Sequence, residues 1–115
     1  MEDLLITTLS VFGYPVFRQG SLAKDAKYPD HFFTFWNNAS DSDGFFDNSG
    51  SRTVWDFDCN FYSIDPEKTY SCLSEAVSRL KDEGFIVSGK GYDIASDEPT
   101  HTGRGVNALY IQNND

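Results

Sequence analysis

The densest grouping of chemistry-bearing side chains lies between residues 93 and 105, where Asp93, Asp97 and Glu98 fall within about a dozen residues of His101 and Arg104, flanked by Gly103 and Gly105. Acids beside one of only two histidines could support general acid–base work. A hydrolase would also need an oriented nucleophile and an oxyanion site, and the chain carries no Gly-x-Ser-x-Gly and no His-Glu-x-x-His. Two other readings of the segment stand side by side. In one, it is a hairpin whose arginine pairs with its own acids. In the other, Arg104 lies at a subunit boundary, where its planar fork grips a neighbour's carboxylate and Asp93, Asp97 and His101 join it as contact residues.

The remaining motifs are weaker. Asp41-Ser42-Asp43-Gly44 with Asp47 resembles a calcium loop, yet its glycine is misplaced and position twelve is Arg52 where a bidentate glutamate is needed. Ser88-Gly89-Lys90-Gly91 lacks the loop length and the following Ser/Thr of a phosphate cradle, so its glycines read as a bulge or a close backbone approach. Cys59 and Cys72 sit in no zinc-type spacing and read as two buried free thiols. The expectation is no disulfide, no metal and no cofactor.

Local patterns supply the elements that must position these groups. Leu5, Leu9 and Phe12 repeat at helical spacing from Glu2 until Gly13 and Pro15, and Tyr14 to Arg18 follows as a brief strand. His31 to Asn37 is an aromatic strand whose Phe32, Phe33, Phe35 and Trp36 occupy both parities, which predicts cover on both sides. Residues 38–51 turn to Ser, Asp, Asn and Gly, the chemistry of an exposed, mobile loop. Arg52 to Tyr62 alternates, with Trp55, Phe57, Cys59 and Phe61 on the core side and Asp56 and Asp58 on the wet side. Asp65-Pro66 starts a helix that Tyr70, Leu73, Val77 and Leu80 continue until Gly84. Phe85 to Tyr92 and Val106 to Ile111 close as two strands. The whole predicts a single α+β domain over residues 1–115: two layers, an antiparallel or mixed sheet of four to five strands, and both helices on one face.

Composition bounds the function. The 115 residues are 39% hydrophobic and 16% aromatic, enough to build one core. Nine Lys plus Arg against eighteen Asp plus Glu give a formal charge of −9, and the cations are scattered singly, which argues against specific nucleic-acid binding and against an anionic membrane surface. The acidic start and the absence of a long apolar run give a soluble, intracellular expectation.

Several stretches together resemble a family. Gly13-Tyr-Pro-Val-Phe17, Tyr28-Pro29 before the aromatic strand, Trp55-Asp-Phe-Asp58, Ser63-x-Asp-Pro66, and Gly84-Phe85 through Gly91-Tyr-Asp93 to Ser96-Asp-Glu-Pro-Thr-His-Thr-Gly-Arg-Gly105 are similar to small proteins of prophages and long-tailed phages (siphoviruses). The element order resembles the tail terminator, or tail completion, fold. That resemblance implies a non-enzymatic structural protein forming a homo-oligomeric ring, usually hexameric, which caps the tail tube and joins it to the head. Its implied partners are further copies of itself, the major tail tube protein and a head-completion or connector protein. Its implied place is the tail and neck of the virion, reached from the host bacterial cytoplasm during assembly. Under that reading the 38–51 loop faces a partner, and the Asp56 and Asp58 face is a candidate lumen lining that would repel the DNA passing through it. The alternatives are a head-completion or connector protein and, from a different class, a small-ligand binding or hydrolytic domain centred on His101.

Overall fold

The computed structural model describes residues 1–19, 28–42, 52–96 and 98–113, with the backbone alone for 39–42. In chain order these form α1 (Glu2–Leu9), a 3-10 turn (Ser10–Phe12), β1 (Val16–Arg18), β2 (His31–Ser42), β3 (Arg52–Ser63), α2 (Pro66–Asp82), β4 (Ile86–Val87), β5 (Tyr92–Ile94) and β6 (Thr102–Asn113). The fold is α+β, with two helices on one face of a six-stranded mixed sheet.

α2 is built by local signals. The Asp65 carboxylate accepts from the backbone N–H of Glu67 at 3.0 Å and of Lys68 at 3.5 Å, and Pro66 fills the first helical position. Thr69, Cys72, Leu73, Ala76, Val77 and Leu80 form the buried stripe. At the other end Gly84 adopts φ +100°, its N–H donates to the Lys81 carbonyl, and the Phe85 N–H reaches back to the Leu80 carbonyl at 2.9 Å. This is the paired helix stop that a left-handed glycine permits. α1 ends sooner than its apolar spacing predicts: the α-helical pattern closes at Leu9 and a tighter 3-10 turn carries the chain to Gly13 at φ +78°.

The sheet runs β1-β2-β3-β6-β4, with β5 also paired to β6, and only the β1–β2 pair is parallel. β2, β3 and β6 are each twelve residues long and antiparallel. Alternation sorts β3 as the sequence predicts: Phe57, Cys59 and Phe61 enter the core with Leu5 and Leu9 of α1 and Leu73 and Leu80 of α2. Phe33 and Phe61, paired across β2 and β3, hold ring centroids 4.7 Å apart at the centre of this layer.

Three expectations are corrected. The polar stretch 38–42 is not loop: antiparallel pairing of Ser40 with Trp55, Asp41 with Val54 and Ser42 with Thr53 draws it into the ladder despite its turn-like composition, and residues 43–51 lie outside the described residues. Residues 85–92 are not one strand: Gly89 and Gly91, at φ +75° and +99°, break the segment into β4 and β5, both of which pair with β6. The last strand runs from Thr102 instead of Val106, because β3 pairs it without interruption from Thr102 to Asn113. The sheet thereby gains short pieces and reaches six strands.

Cover on both sides of the aromatic strand holds at one end only. Phe32, on the face opposite the helices, stacks on Tyr62 at 5.1 Å and meets Phe17, Tyr28 and His101 edge-on. Trp36, four residues on, is exposed. Between them and the far end of the strand, Asn38 is an extra residue in β2, a bulge lying between the Asn37–Phe57 and Ala39–Asp56 pairs.

Candidate functional site

Asp93, His101 and Arg104 come together at one cleft of about 340 Å³, between the first turns of α2 and the β5–β6 pair. Pro66, Thr69 and Tyr70 form its helical wall. The Thr69 and Thr102 hydroxyls, 2.8 Å apart, tie that wall to β6. Asp97, the fourth residue of the predicted group, lies outside the described residues.

Within the cleft Arg104 is engaged by its own chain. One terminal nitrogen donates to Asp93 Oδ1 at 2.8 Å; the other donates to the Gly91 carbonyl at 2.9 Å and the Lys90 carbonyl at 3.3 Å. The guanidinium carbon stands 4.5 Å from the centroid of the Tyr70 ring, so the planar cation rests on one aromatic face while both terminal nitrogens are hydrogen-bonded within the chain. Of the two readings of this segment, the hairpin with internal pairing describes the arrangement seen. Asp93 is the outward member of the pair: its side chain is 76% exposed against 14% for Arg104.

His101 is buried, not presented to solvent. Its Nε2 is 2.8 Å from the Pro29 carbonyl oxygen, which can only accept, so Nε2 carries the hydrogen. In the neutral ring Nδ1 then accepts from the Thr100 hydroxyl, 3.0 Å away. With Tyr28 and Phe32 edge-on to the ring, His101 fastens residues 28–30 to the start of β6. This is the geometry of a structural clamp.

Asp56 and Asp58 stand on the sheet face opposite the helices, as the alternation predicts. Asn107, across β6, places its side-chain amide against both carboxylates, at 2.5 Å from Asp56 and 3.3 Å from Asp58, while the Asn38 amide donates to Asp56 at 3.3 Å. These amides orient the carboxylates without cancelling their charge.

The same face carries residues that sequence reasoning missed. Four of the seven large exposed apolar side chains among the described residues, Trp36, Ile86, Tyr92 and Ile111, share it by register. Trp36 lies directly opposite Asp58, and Ile86 is joined through Leu109 to Asp56. The Tyr92 hydroxyl is pushed above its usual pKa by burial and by the nearby Asp58 and Cys59. The signal was present in the parity of Trp36, but only the register converts parity into a neighbour.

Both cysteines are free and buried. Burial, with a smaller contribution from the Asp58 charge, raises Cys59 to about 12; burial and then Glu75 raise Cys72 to about 11. Neither is activated as a nucleophile. Among the described residues no group of three or more His, Cys, Asp or Glu is placed to hold a metal ion, and no helix is long and apolar enough to cross a membrane. No family model matches the chain, and no curated protein matches it.

Proposed function

We propose that the chain is a structural subunit of a ring that closes the end of a long phage tail, a protein of the tail terminator type that caps the tube and joins it to the head. One observation carries this reading: a helix, a short strand, two long strands, a helix and closing strands, all on one sheet with both helices on the same face. That order is similar to the one implied by the resemblance in sequence, with three closing strands in place of two. The arrangement confines both helices to one layer, so a sheet face and the cleft beside α2 are left for neighbouring molecules.

Assembly is templated in this reading. The exposed tube end supplies contacts that an isolated subunit lacks, and a closed ring leaves no edge for another layer of tube to add. Within the ring the cleft side is the subunit contact, with Asp93 as the group that meets the neighbour and Arg104 as the in-chain anchor that holds it in place. The partners are further copies, the tube protein and a head-completion protein, met in the bacterial cytoplasm and retained in the virion. The engagement of both His101 ring nitrogens by Pro29 and Thr100 supports a structural role for that residue over a hydrolytic one.

The test is the solution mass by light scattering over a wide range of protein concentration, at low and moderate salt. A six-fold multiple of the 12.9 kDa chain, present throughout or appearing as concentration rises, is the expected result. A strict monomer that also fails to bind purified tail tubes at their ends overturns the proposal.

A further inference from the structure

The helix-free sheet face combines two features that a wet conduit wall would not need together. Its middle is acidic, with Asp56 and Asp58 held side by side through Asn107. Around them stand Trp36, Tyr92, Ile86 and Ile111, exposed by 48%, 48%, 51% and 41%. Exposed apolar side chains gathered on one face with polar groups among them suit a contact with another macromolecule. Arg52 occupies the same face by alternation, three rows from Asp58 at the far end of β3.

We propose that this face docks an arginine-bearing segment of a different protein. Charge and geometry both select that occupant. Trp36 and Asp58 are directly opposed across β2 and β3, so an indole face and a carboxylate lie within one side chain's reach. A guanidinium satisfies both: it stacks on the indole and donates in its plane to the carboxylate, which an ammonium does less well. Tyr92 offers a second ring on the other side of Asp58, and Leu109, Ile86 and Ile111 supply apolar area for the rest of the segment. A second copy meeting face to face would oppose Asp56 and Asp58 with the same carboxylates, and a nucleic acid would bring phosphates to them. This inference takes the acid row as a docking surface instead of a lumen lining, and it stands whether or not the chain forms a ring.

The experiment titrates the full chain with hexa-arginine, with hexa-lysine for comparison, and maps amide chemical shifts. Shifts centred on Trp36, Asp58, Asn107 and Tyr92, with hexa-arginine the tighter ligand, are expected. Asp56→Asn with Asp58→Asn keeps the acceptors for Asn107 and should weaken binding about tenfold, while Trp36→Leu should weaken it about threefold. Glu75→Gln with Asp82→Asn, which removes the same charge from exposed positions of α2, should leave it within about twofold. Equal weakening by the two charge-removing pairs, or shifts scattered over α2, would reduce the binding to bulk charge and overturn the proposal. A rise in solution mass on removing Asp56 and Asp58 would assign the face to a second copy and overturn it as well. The mass of the unaltered chain reports on ring formation separately.

Discussion

Arg104 and Asp93 form an unequal pair: their side chains meet at 2.8 Å across β5 and β6, but the arginine is enclosed by Tyr70 and two backbone carbonyls while the aspartate faces solvent. Replacing the two therefore has different consequences. Arg104→Ala strands the Gly91 and Lys90 carbonyls and removes the cation from the Tyr70 ring, and should cost about 1–3 kcal/mol. Arg104→Lys keeps the charge without the fork and should recover only part of it. Asp93→Asn should cost under about 1 kcal/mol, as exposed ion pairs do. Urea unfolding of the three variants checks the ranking.

Gly91 and Gly89 both take positive φ, +99° and +75°, in different surroundings. A Cβ on Gly91 would lie 2.9 Å from Leu73 Cδ2 and 3.0 Å from the Gly105 carbonyl, whereas one on Gly89 meets nothing within 4 Å. Gly89→Ala should therefore cost the left-handed backbone alone, about 1–2 kcal/mol, and Gly91→Ala a further 1 kcal/mol or about that from the collision. Thermal unfolding of the pair separates the two contributions.

His101 is expected to behave as a clamp. His101→Phe fills the aromatic pocket but leaves the Pro29 carbonyl without its donor, and should lose about 1–3 kcal/mol. The added measurement is limited proteolysis: cleavage near Tyr28 and Pro29 should rise in His101→Phe, and an unchanged pattern would mean that the contact does not hold the segment.

The thiols give a pH prediction whose sign follows from their raised values. Below about pH 7.5, a unit under the ordinary thiol value, both are protonated, folded or unfolded, and contribute no pH dependence. Above that the unfolded thiols lose protons while Cys59 stays protonated to about 12 and Cys72 to about 11, so the unfolded state binds fewer protons and stability falls as pH rises through this window. Cys59→Ala should have a shallower alkaline loss than the unaltered chain, and a thiol reagent at pH 8 should label neither cysteine until the chain unfolds. Prompt labelling of Cys59 would contradict its burial.

What could be read in advance followed from local chemistry. Asp65-Pro66, the stripe from Leu73 to Leu80 and Gly84 define α2 because cap, period and stop all act within a few residues. The alternation of β3 placed Asp56 and Asp58 on the wet face for the same reason. Residues 38–42 were hidden by their composition, since only pairing with residues 53–56 makes them strand. The break at Gly89 and Gly91 was hidden by the apolar residues around it. Trp36 was the least legible: its place opposite Asp58 depends on a strand register that nothing within residues 31–37 specifies. For His101 the acidic neighbours suggested chemistry, but its real partners, Pro29 and Phe32, lie about seventy residues away in sequence.

The bulge at Asn38 acts as a rudder for the end of the sheet. Beyond Trp55 and Tyr110, the last large side chains packed on the core, β3 and β6 run on for three residues each, about 10 Å, and among the described residues no helix braces them. A single surplus residue at the base of that unsupported tongue adds local twist and sets the direction in which it points. Removing Asn38 would re-aim the tongue while leaving every core side chain in its seat, so one codon could alter what this end of the molecule reaches without altering whether the molecule folds.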